Sequence, residues 1–541
     1  MFLRKIPALL NQCEPSVMAI STSAVWAAKA ESRALEALMR TPTNMGLQQR
    51  IQRPREWRRI QECRREDLEA LLIADVTRER RMRICDLLCE ICEEADWSDP
   101  ESGAHMQDMT HPVIDAQCAQ TACLIGWTAV YFSATADVAE SSELTGRLLH
   151  EVRRRVFTPI LSHEDYPFMR GKSGSVGILS AVMTAVIFLE NDVSRRNATL
   201  RRLARLLDDA CANLDSCEAS MAETVSDVCA ATDVAEIMYR VSHGAADLHD
   251  YVPSDSWLDA ILAAHAGGAL FFDPLGDGMQ CGISGLDVYR LGTFAGDDDL
   301  MILGASLDRL TGLPSDSVNG RMLSLELAQG MSGELRHTPK LSHAHTPKMC
   351  ITSEDGFLCG LYLCGNRGNV GDVVMMLDGK PLFADGGAAC SVRNLPVICG
   401  QPPVRRALRP EADWEFTKER DMLSVDLRDA YPASSALKAY QRTLLTDHVH
   451  ACIRLIDNIE LHAPGTVRFR FLTAIHPQMA RDGMGLGAAW FAWQGEPLLH
   501  VESVSSEIYS GELWLVTLEY DQSASREIYA FELERRTVRA Y

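Results

Sequence analysis

The chain has 541 residues, 47% of them hydrophobic and 23% charged, the balance of soluble globular proteins, which excludes wholesale disorder and fibrous architectures. At about 100–200 residues per domain, the length predicts two or three domains. Lys and Arg total 53 against 74 Asp and Glu, a net charge of −21. That acidity excludes a general nucleic-acid binder, because phosphate contacts need clustered cations, and it leaves room only for a small, localised anion site.

The N-terminus, Met1 to Leu10, is apolar with Arg4 and Lys5, but Asn11, Gln12, Glu14 and Pro15 break it before a secretory signal is complete. We read residues 1–57 as an N-terminal extension. The basic run Arg53, Arg55, Arg58, Arg59, Arg64 and Arg65 beside Trp57 reads as a helix face pairing with Glu56, Glu62 and Glu66. From Arg58 to about Leu310 apolar residues recur at three and four spacing. The stretches around Leu68–Ala74, Met82–Ile91, Leu144–Leu161, Gly177–Leu189, Leu200–Leu214, Val228–Val241 and Trp257–Ala264 are therefore expected helices. Ala116–Ala136 carries no charge but holds Gln, Ser, Thr and Cys, the text of a buried helix rather than a membrane span.

After about Arg336 the apolar period changes to two. Strands are expected at Gly360–Cys364, Asp372–Leu377, Leu423–Leu427, Ala451–Ile456, Val467–Leu472, Ala489–Trp493, Leu513–Leu518 and Glu527–Leu533. Turns are expected at Asp378-Gly379, Asp457-Asn458, Pro464-Gly465 and Gly495-Glu-Pro497. Helices followed by strands predict two segregated domains, at 58–335 and 336–541. The 17 scattered cysteines, an odd number without paired spacing, read as reduced thiols in a cytoplasmic compartment. His343 with His345, and His448 with His450, read as solvated residues; no metal and no cofactor is assigned. Trp490, Trp493 and Trp514 fall on strands, where packing is the plainer reading and sugar stacking the sharper one.

Gly365-Asn-Arg-Gly-Asn-Val-Gly-Asp-Val-Val-Met-Met-Leu-Asp-Gly-Lys-Pro-Leu-Phe-Ala-Asp-Gly-Gly387 resembles the start of the β-sandwich of heparinase II/III-like polysaccharide lyases. Ser391-Val-Arg-Asn-Leu-Pro-Val-Ile-Cys-Gly400, Tyr440-Gln-Arg-Thr and Ile453-Arg-Leu-Ile-Asp-Asn-Ile-Glu are similar to later parts of that domain, as are Ile114–Trp127, Leu144–Pro159 and Phe271–Asp277 to its helical part. The resemblance runs from about Arg58 to the C-terminus. It implies an α+β multidomain fold, an incomplete (α/α) toroid followed by an antiparallel β-sandwich. It also implies β-elimination on uronate-containing glycans, with an acidic oligosaccharide or polysaccharide as partner and neither nucleic acid nor membrane.

The family's histidines are replaced: Arg367 and Arg393 stand where it carries His. The loop that often reads Asn-Asn-Trp falls near Tyr166-Pro-Phe168, and the family's Tyr falls near Ser226. Arginine is always protonated at neutral pH, so it holds anions rather than moving protons. The substrate-binding candidates are Arg367, Arg393, Asn366, Asn369, Asn394, Arg170 and Lys172; Tyr166 and Tyr239 are the displaced-base candidates, and Asp385 is expected to brace the motif loop. Two functions stay open at this level: a divergent lyase, or an inactive acidic-carbohydrate-binding or scaffold protein of the same fold.

Overall fold

The computed structural model describes residues 1–18, 20, 24–43, 45–74, 77–101, 108, 110–135, 138–171, 174–214, 220–252, 255–273, 278–280, 282–327, 343–345, 349–363, 370–384, 392–405, 408, 410–504 and 512–536. The chain forms two compact units. One comprises Met1–Leu214, Val225–Pro253 and Ser284–Thr338; the other comprises Asp215–Thr224, Ser254–Ile283 and Pro339–Tyr541.

The first unit is helical. Its elements are α1 (Phe2–Asn11), α2 (Ala24–Met39), α3 (Leu47–Gln52), α4 (Pro54–Ile73), α5 (Arg78–Glu93), α6 (Ala116–Thr135), α7 (Val138–Val152), α8 (Thr158–Ser162), α9 (Ser175–Leu189), α10 (Val193–Ala212) and α11 (Met221–Val241). After α12 (Asp255–Ala264), which belongs to the second unit, follow α13 (Gly285–Ala295), α14 (Asp298–Thr311) and α15 (Val318–Ser324). Every expected helix forms. Residues 1–57 fold onto this unit: Phe2, Ile6 and Leu9 are fully buried in its core, and the Asp208 carboxylate of α10 accepts from the backbone N–H groups of Phe2 and Leu3.

Helices α6 and α9 are apolar on nearly all sides because each is packed all round. Gly126 of α6 lies against Ala185 and Phe188 of α9, and a Cβ there would stand 3.3 Å from the Ala185 Cα. Ser180 of α9 donates to the Ala230 carbonyl of α11 at 2.5 Å. Gly174 and Gly177 donate to Asp227 of α11. Contacts therefore advance together along α6, α9 and α11, so the three helices run parallel and begin at one end of the unit. Asn319 of α15 ties two of them: its amide donates to Thr184 and its oxygen accepts from Trp127. No helix among the described residues is long and apolar enough to cross a membrane.

The basic run divides by depth. Arg53, Arg58 and Arg59 pair with Glu56 and Glu62 on the surface, while Arg64 and Arg65 converge on the buried carboxylate of Glu94 at 2.8 Å each.

The second unit holds β1 (His265–Gly267), β2 (Leu270–Asp273), β3 (Gly278–Gln280), β4 (His343–His345), β5 (Met349–Glu354), β6 (Phe357–Tyr362), β7 (Val373–Leu377), β8 (Lys380–Phe383), β9 (Val397–Ile398) and β10 (Ala412–Phe416). It continues with β11 (Arg420–Asp426), β12 (Leu437–Asp447), β13 (Cys452–Leu461), β14 (Gly465–Thr473), β15 (Gln478–Met479), β16 (Gly483–Leu486), β17 (Ala489–Trp493), β18 (Leu498–Val504), β19 (Leu513–Gln522) and β20 (Arg526–Arg535). An eight-stranded antiparallel sheet runs β10-β11-β12-β13-β20-β17-β16-β15. The sheets β4-β5-β6-β7-β8 and β18-β19-β14-β9 are joined where Ala384 donates to the Leu472 carbonyl. Phe383 and Phe471 from these two meet Phe491 and Phe531 of the eight-stranded sheet, which makes the core of a sandwich.

All eight expected strands are present, and so is the Asp378-Gly379 turn, whose two residues both adopt positive φ in a tight hairpin. One expected turn is corrected. Asp457 and Asn458 sit in the middle of β13, paired with Arg442 and Gln441 of β12. Asp457 is there because it answers Arg442. Both are fully buried, with Nε and one terminal nitrogen of Arg442 on the two carboxylate oxygens at 2.7 and 2.9 Å. The other terminal nitrogen donates to the carbonyls of Gly371 and Asn394, and the Tyr440 hydroxyl donates to Asp457 at 2.7 Å.

Removing one member of such a pair leaves the other charged and buried. We expect Arg442→Met to lose about 3–5 kcal/mol of stability and Arg442→Met/Asp457→Leu to recover most of it. Denaturant titration of the three proteins checks this, and equal losses in the single and double variants would refute it.

Candidate functional site

The common starting end of α6 and α9 carries two short loops. Residues 110–115 lead into α6, and 163–170 lead through a short 3-10 turn, Pro167–Arg170, towards α9. Asp115 caps α6 by accepting from the Cys118 N–H at 2.9 Å, and Gly171 ends the turn in the left-handed conformation with φ 64°. The loops are stitched together by Tyr166, whose hydroxyl donates to the Pro112 carbonyl at 2.9 Å.

Around that stitch lies a cluster of imidazoles. His111 Nε2 is 2.8 Å from the Asp165 carboxylate, and the His111 and His163 rings are 4.4 Å apart, tilted by 55°. His111 also lies 4.8 Å from the Tyr166 ring, and His163 Nε2 is 3.0 Å from the Thr110 carbonyl. Both histidines are half-buried and Asp165 is exposed, so solvent or a ligand reaches the group. The hydrogen bond to Asp165 holds the His111 proton more tightly than usual, and the same bond lowers the Asp165 carboxyl. Among the described residues, His111, His163 and Asp165 form the group whose ligand atoms converge within 4.8 Å, which is also a donor set for a divalent cation. None of the three stands out from the sequence alone. The signal that could have found them is that His111-Pro112 and His163-Glu-Asp-Tyr-Pro167 each bear His just before an apolar helix.

The expected site residues separate. Tyr166 is 3% exposed; burial first, then the Asp165 charge, pushes its hydroxyl up to about 12, which suits an anchor rather than a base at neutral pH. Tyr239 lies on α11, packed edge-on against His249, in a set of contacts that shares nothing with the Tyr166 group. Arg170 is exposed at the end of the second loop, and among the described residues it has no ion-pair partner. The motif-loop positions Asn366, Arg367 and Asn369, together with Lys172 and Asp385, lie outside the described residues.

Asn394 is 1% exposed and fully engaged. Its amide donates to the carbonyls of Val373 and Ala384, and its oxygen accepts from the Leu472 N–H. It is a clamp between strands, with no polar side-chain atom turned to a ligand. Arg393, 5% exposed, donates to the Val392 carbonyl. Three of the four histidines read as solvated differ from that expectation, while His450 keeps it, exposed beside Asp447. His343 and His345 form a strand and stack on Phe416 and Trp414. His448 is wedged between Glu354 at 2.5 Å and the buried Asp421 at 3.2 Å. Burial pulls the His448 proton affinity down, but the bonds to Glu354 and Asp421 outweigh it and raise it. Trp493 is buried, Trp490 is covered by the Arg536 guanidinium and Trp514 meets His476, so packing accounts for all three.

The ion pair has a pH signature. Raised in the folded state, His111 contributes stability that is present below its unfolded value and lost as pH rises through the folded one; Asp165, lowered, contributes above its unfolded value and loses it as pH falls. The pair is therefore fullest in mildly acidic solution. We expect the His111 ring resonance to titrate above the usual histidine value of about 6.5 and to fall back toward it in Asp165→Asn. An unchanged midpoint in the variant would break the assignment.

No protein-family model matches the sequence, and no curated protein matches it. Solved structures do match. Heparinase III aligns over 96% of this chain and 85% of its own, with a TM-score of 0.52 at 11% identity. The Streptomyces coelicolor A3 chondroitin AC lyase, solved in complex with chondroitin sulphate, aligns over 99% and 82%, with a TM-score of 0.52 at 10% identity. The Paenibacillus xanthan lyase aligns over 99% of this chain, which spans 59% of that enzyme's length, with a TM-score of 0.54 at 9% identity. At such identities the likeness speaks for architecture alone. The helical unit and the antiparallel sandwich together have the fold of the polysaccharide lyases, a helical toroid followed by a β-sandwich.

Proposed function

We propose that this chain acts on uronate-containing acidic glycans by β-elimination, with His111 and His163 as the proton-transfer pair. The observation that carries the reading is the Asp165-held His111 beside His163, on the two loops that precede the parallel helices α6 and α9. Elimination needs a group to neutralise the C5 carboxylate, a base for the C5 proton and an acid for the leaving oxygen. His163 takes the C5 proton; that electron pair forms the C4–C5 double bond as the C4–O4 bond breaks. His111, whose proton the Asp165 carboxylate holds more tightly than usual, gives that proton to the leaving oxygen. No water is consumed. Arg170, exposed at the end of the same loop, supplies a guanidinium for the carboxylate. The free thiols of Cys118, Cys123 and Cys350 support a reducing, cytoplasmic setting.

The test is the ultraviolet absorbance of the unsaturated product over a panel of uronate oligosaccharides, with a known lyase as control. Loss of one proton-transfer group costs about 10²–10⁴-fold, so His163→Ala and His111→Ala should each lose at least about 100-fold while keeping their circular dichroism. Asp165→Asn should lose less and move the high-pH limb down. Zn²⁺ should inhibit by occupying the two imidazoles. Activation by Zn²⁺ and loss in a chelator would instead favour a cation bound by His111, His163 and Asp165, the reading their convergence also permits. Silence with an active control would refute elimination, and Arg170-dependent binding of the oligosaccharides would then leave an acidic-carbohydrate-binding protein.

A further inference from the structure

A second site lies elsewhere in the helical unit. A cavity of about 550 Å³ opens between α2, α4, α6 and α15, within the roughly 300–1,000 Å³ typical of small-molecule sites. Its walls are mainly apolar, built from Trp26, Ala30, Ala70, Ile73, Leu124 and Pro314.

The polar groups at its edge are nearly all engaged. Glu62 holds Arg58 at 3.1 Å, Glu66 holds Arg33 at 2.7 Å and Glu69 holds Arg321 at 2.6 Å. Arg65 is bound to Glu94 and to Thr121, and the Gln120 oxygen accepts from the Val318 N–H. One cation differs. The Lys29 ammonium lies over the Trp26 ring, 4.4 Å from its centre, and among the described residues pairs with no carboxylate.

An apolar cavity whose acids are already paired, and which presents one unpaired cation, is complementary to a single negative head on an apolar body. We propose that this cavity binds a small amphipathic organic anion, a carboxylate or sulfonate on an aromatic or branched apolar frame. The head accepts from the Lys29 ammonium, and the frame lies against Ile73, Leu124 and Pro314. This site is independent of the elimination reading and of the His111 cluster.

Two dyes with the same ring system separate the contributions: 1-anilinonaphthalene-8-sulfonate, which carries the anion, and N-phenyl-1-naphthylamine, which does not. Fluorescence titration of the full chain should give saturable binding of both, with the sulfonate tighter. A hydrogen bond to a charged group contributes about 1.5–3 kcal/mol, so Lys29→Met should weaken the sulfonate by at least about tenfold and leave the neutral amine within about twofold. Val318→Trp, which fills the cavity, should weaken both. Unchanged sulfonate affinity in Lys29→Met would overturn the proposal, and so would unchanged binding of both dyes in Val318→Trp. Should the filled variant not fold, the Lys29→Met comparison of the two dyes still decides.

Discussion

The buried pair of Arg442 and Asp457 is the constraint from which the sandwich is organised. An arginine taken wholly out of water must have its donors satisfied in fixed directions, because the guanidinium is planar and its charge cannot be removed by deprotonation. Here two of its nitrogens face one carboxylate and the third reaches the Gly371 and Asn394 carbonyls, so one side chain of β12 fixes two loops far away in sequence. Those loops constrain each other. Asp372 accepts from the Asn394 N–H, and Asn394 clamps Val373, Ala384 and Leu472. Gly371 must be glycine there, since its φ is 80° and a Cβ would stand 2.4 Å from Leu427. The network thus ties β7, β8, β12, β13 and β14 through side chains that the backbone ladder alone does not link.

Within this network, the most recognisable stretch of the sequence is a packing motif. Gly371-Asp372, Asn394, Tyr440, Arg442 and Asp457 belong to segments that resemble lyases, and the geometry uses each of them internally. A chain can therefore keep such segments for its architecture while other positions change, because the requirements of a buried polar network are separate from those of a reaction. The same separation appears in the helical unit. Tyr166, a displaced-base candidate in the sequence, has its hydroxyl occupied in joining two loops, and that joint brings two imidazoles together.

The periodic elements are legible in the sequence. Apolar residues at three and four spacing mark α4, α5, α9, α10 and α11, and alternation marks β13, β14, β19 and β20, because burial of one stripe or one face is a local rule. Asp457-Asn458 misleads because a polar pair inside an apolar run looks like a turn when its partner, Arg442, is unseen. His343 and His448 mislead for the same reason: both approach the buried Asp421, which lies between them in sequence and reaches His448 through the pairing of β11 with β12 and His343 through the approach of β4, a strand of another sheet. His111 and His163, 52 positions apart, come together only because α6 and α9 run parallel. Helix existence is written in the local pattern, but which helix ends coincide is set by packing choices such as Gly126 against Ala185.

Charge sets the scale of any anionic ligand this chain can take. With a net charge of −21, the far field repels a polyanion, so attraction must come from short-range donors that the field does not cancel. Most described arginines are already committed to carboxylates: Arg64 and Arg65 to Glu94, Arg153 to Glu190, Arg290 to Asp233, Arg321 to Glu69, Arg442 to Asp457. Such pairs steady the helices and sheets but contribute little outward potential. Among the cations left for a ligand are the exposed Arg170, at the end of the loop that carries His163, and Lys29 over an indole. Screening over about 8–10 Å at physiological salt confines each to its immediate surroundings. As proposed, each takes one or two negative groups rather than a long chain, so recognition rests on close contact with a single residue or a single head group.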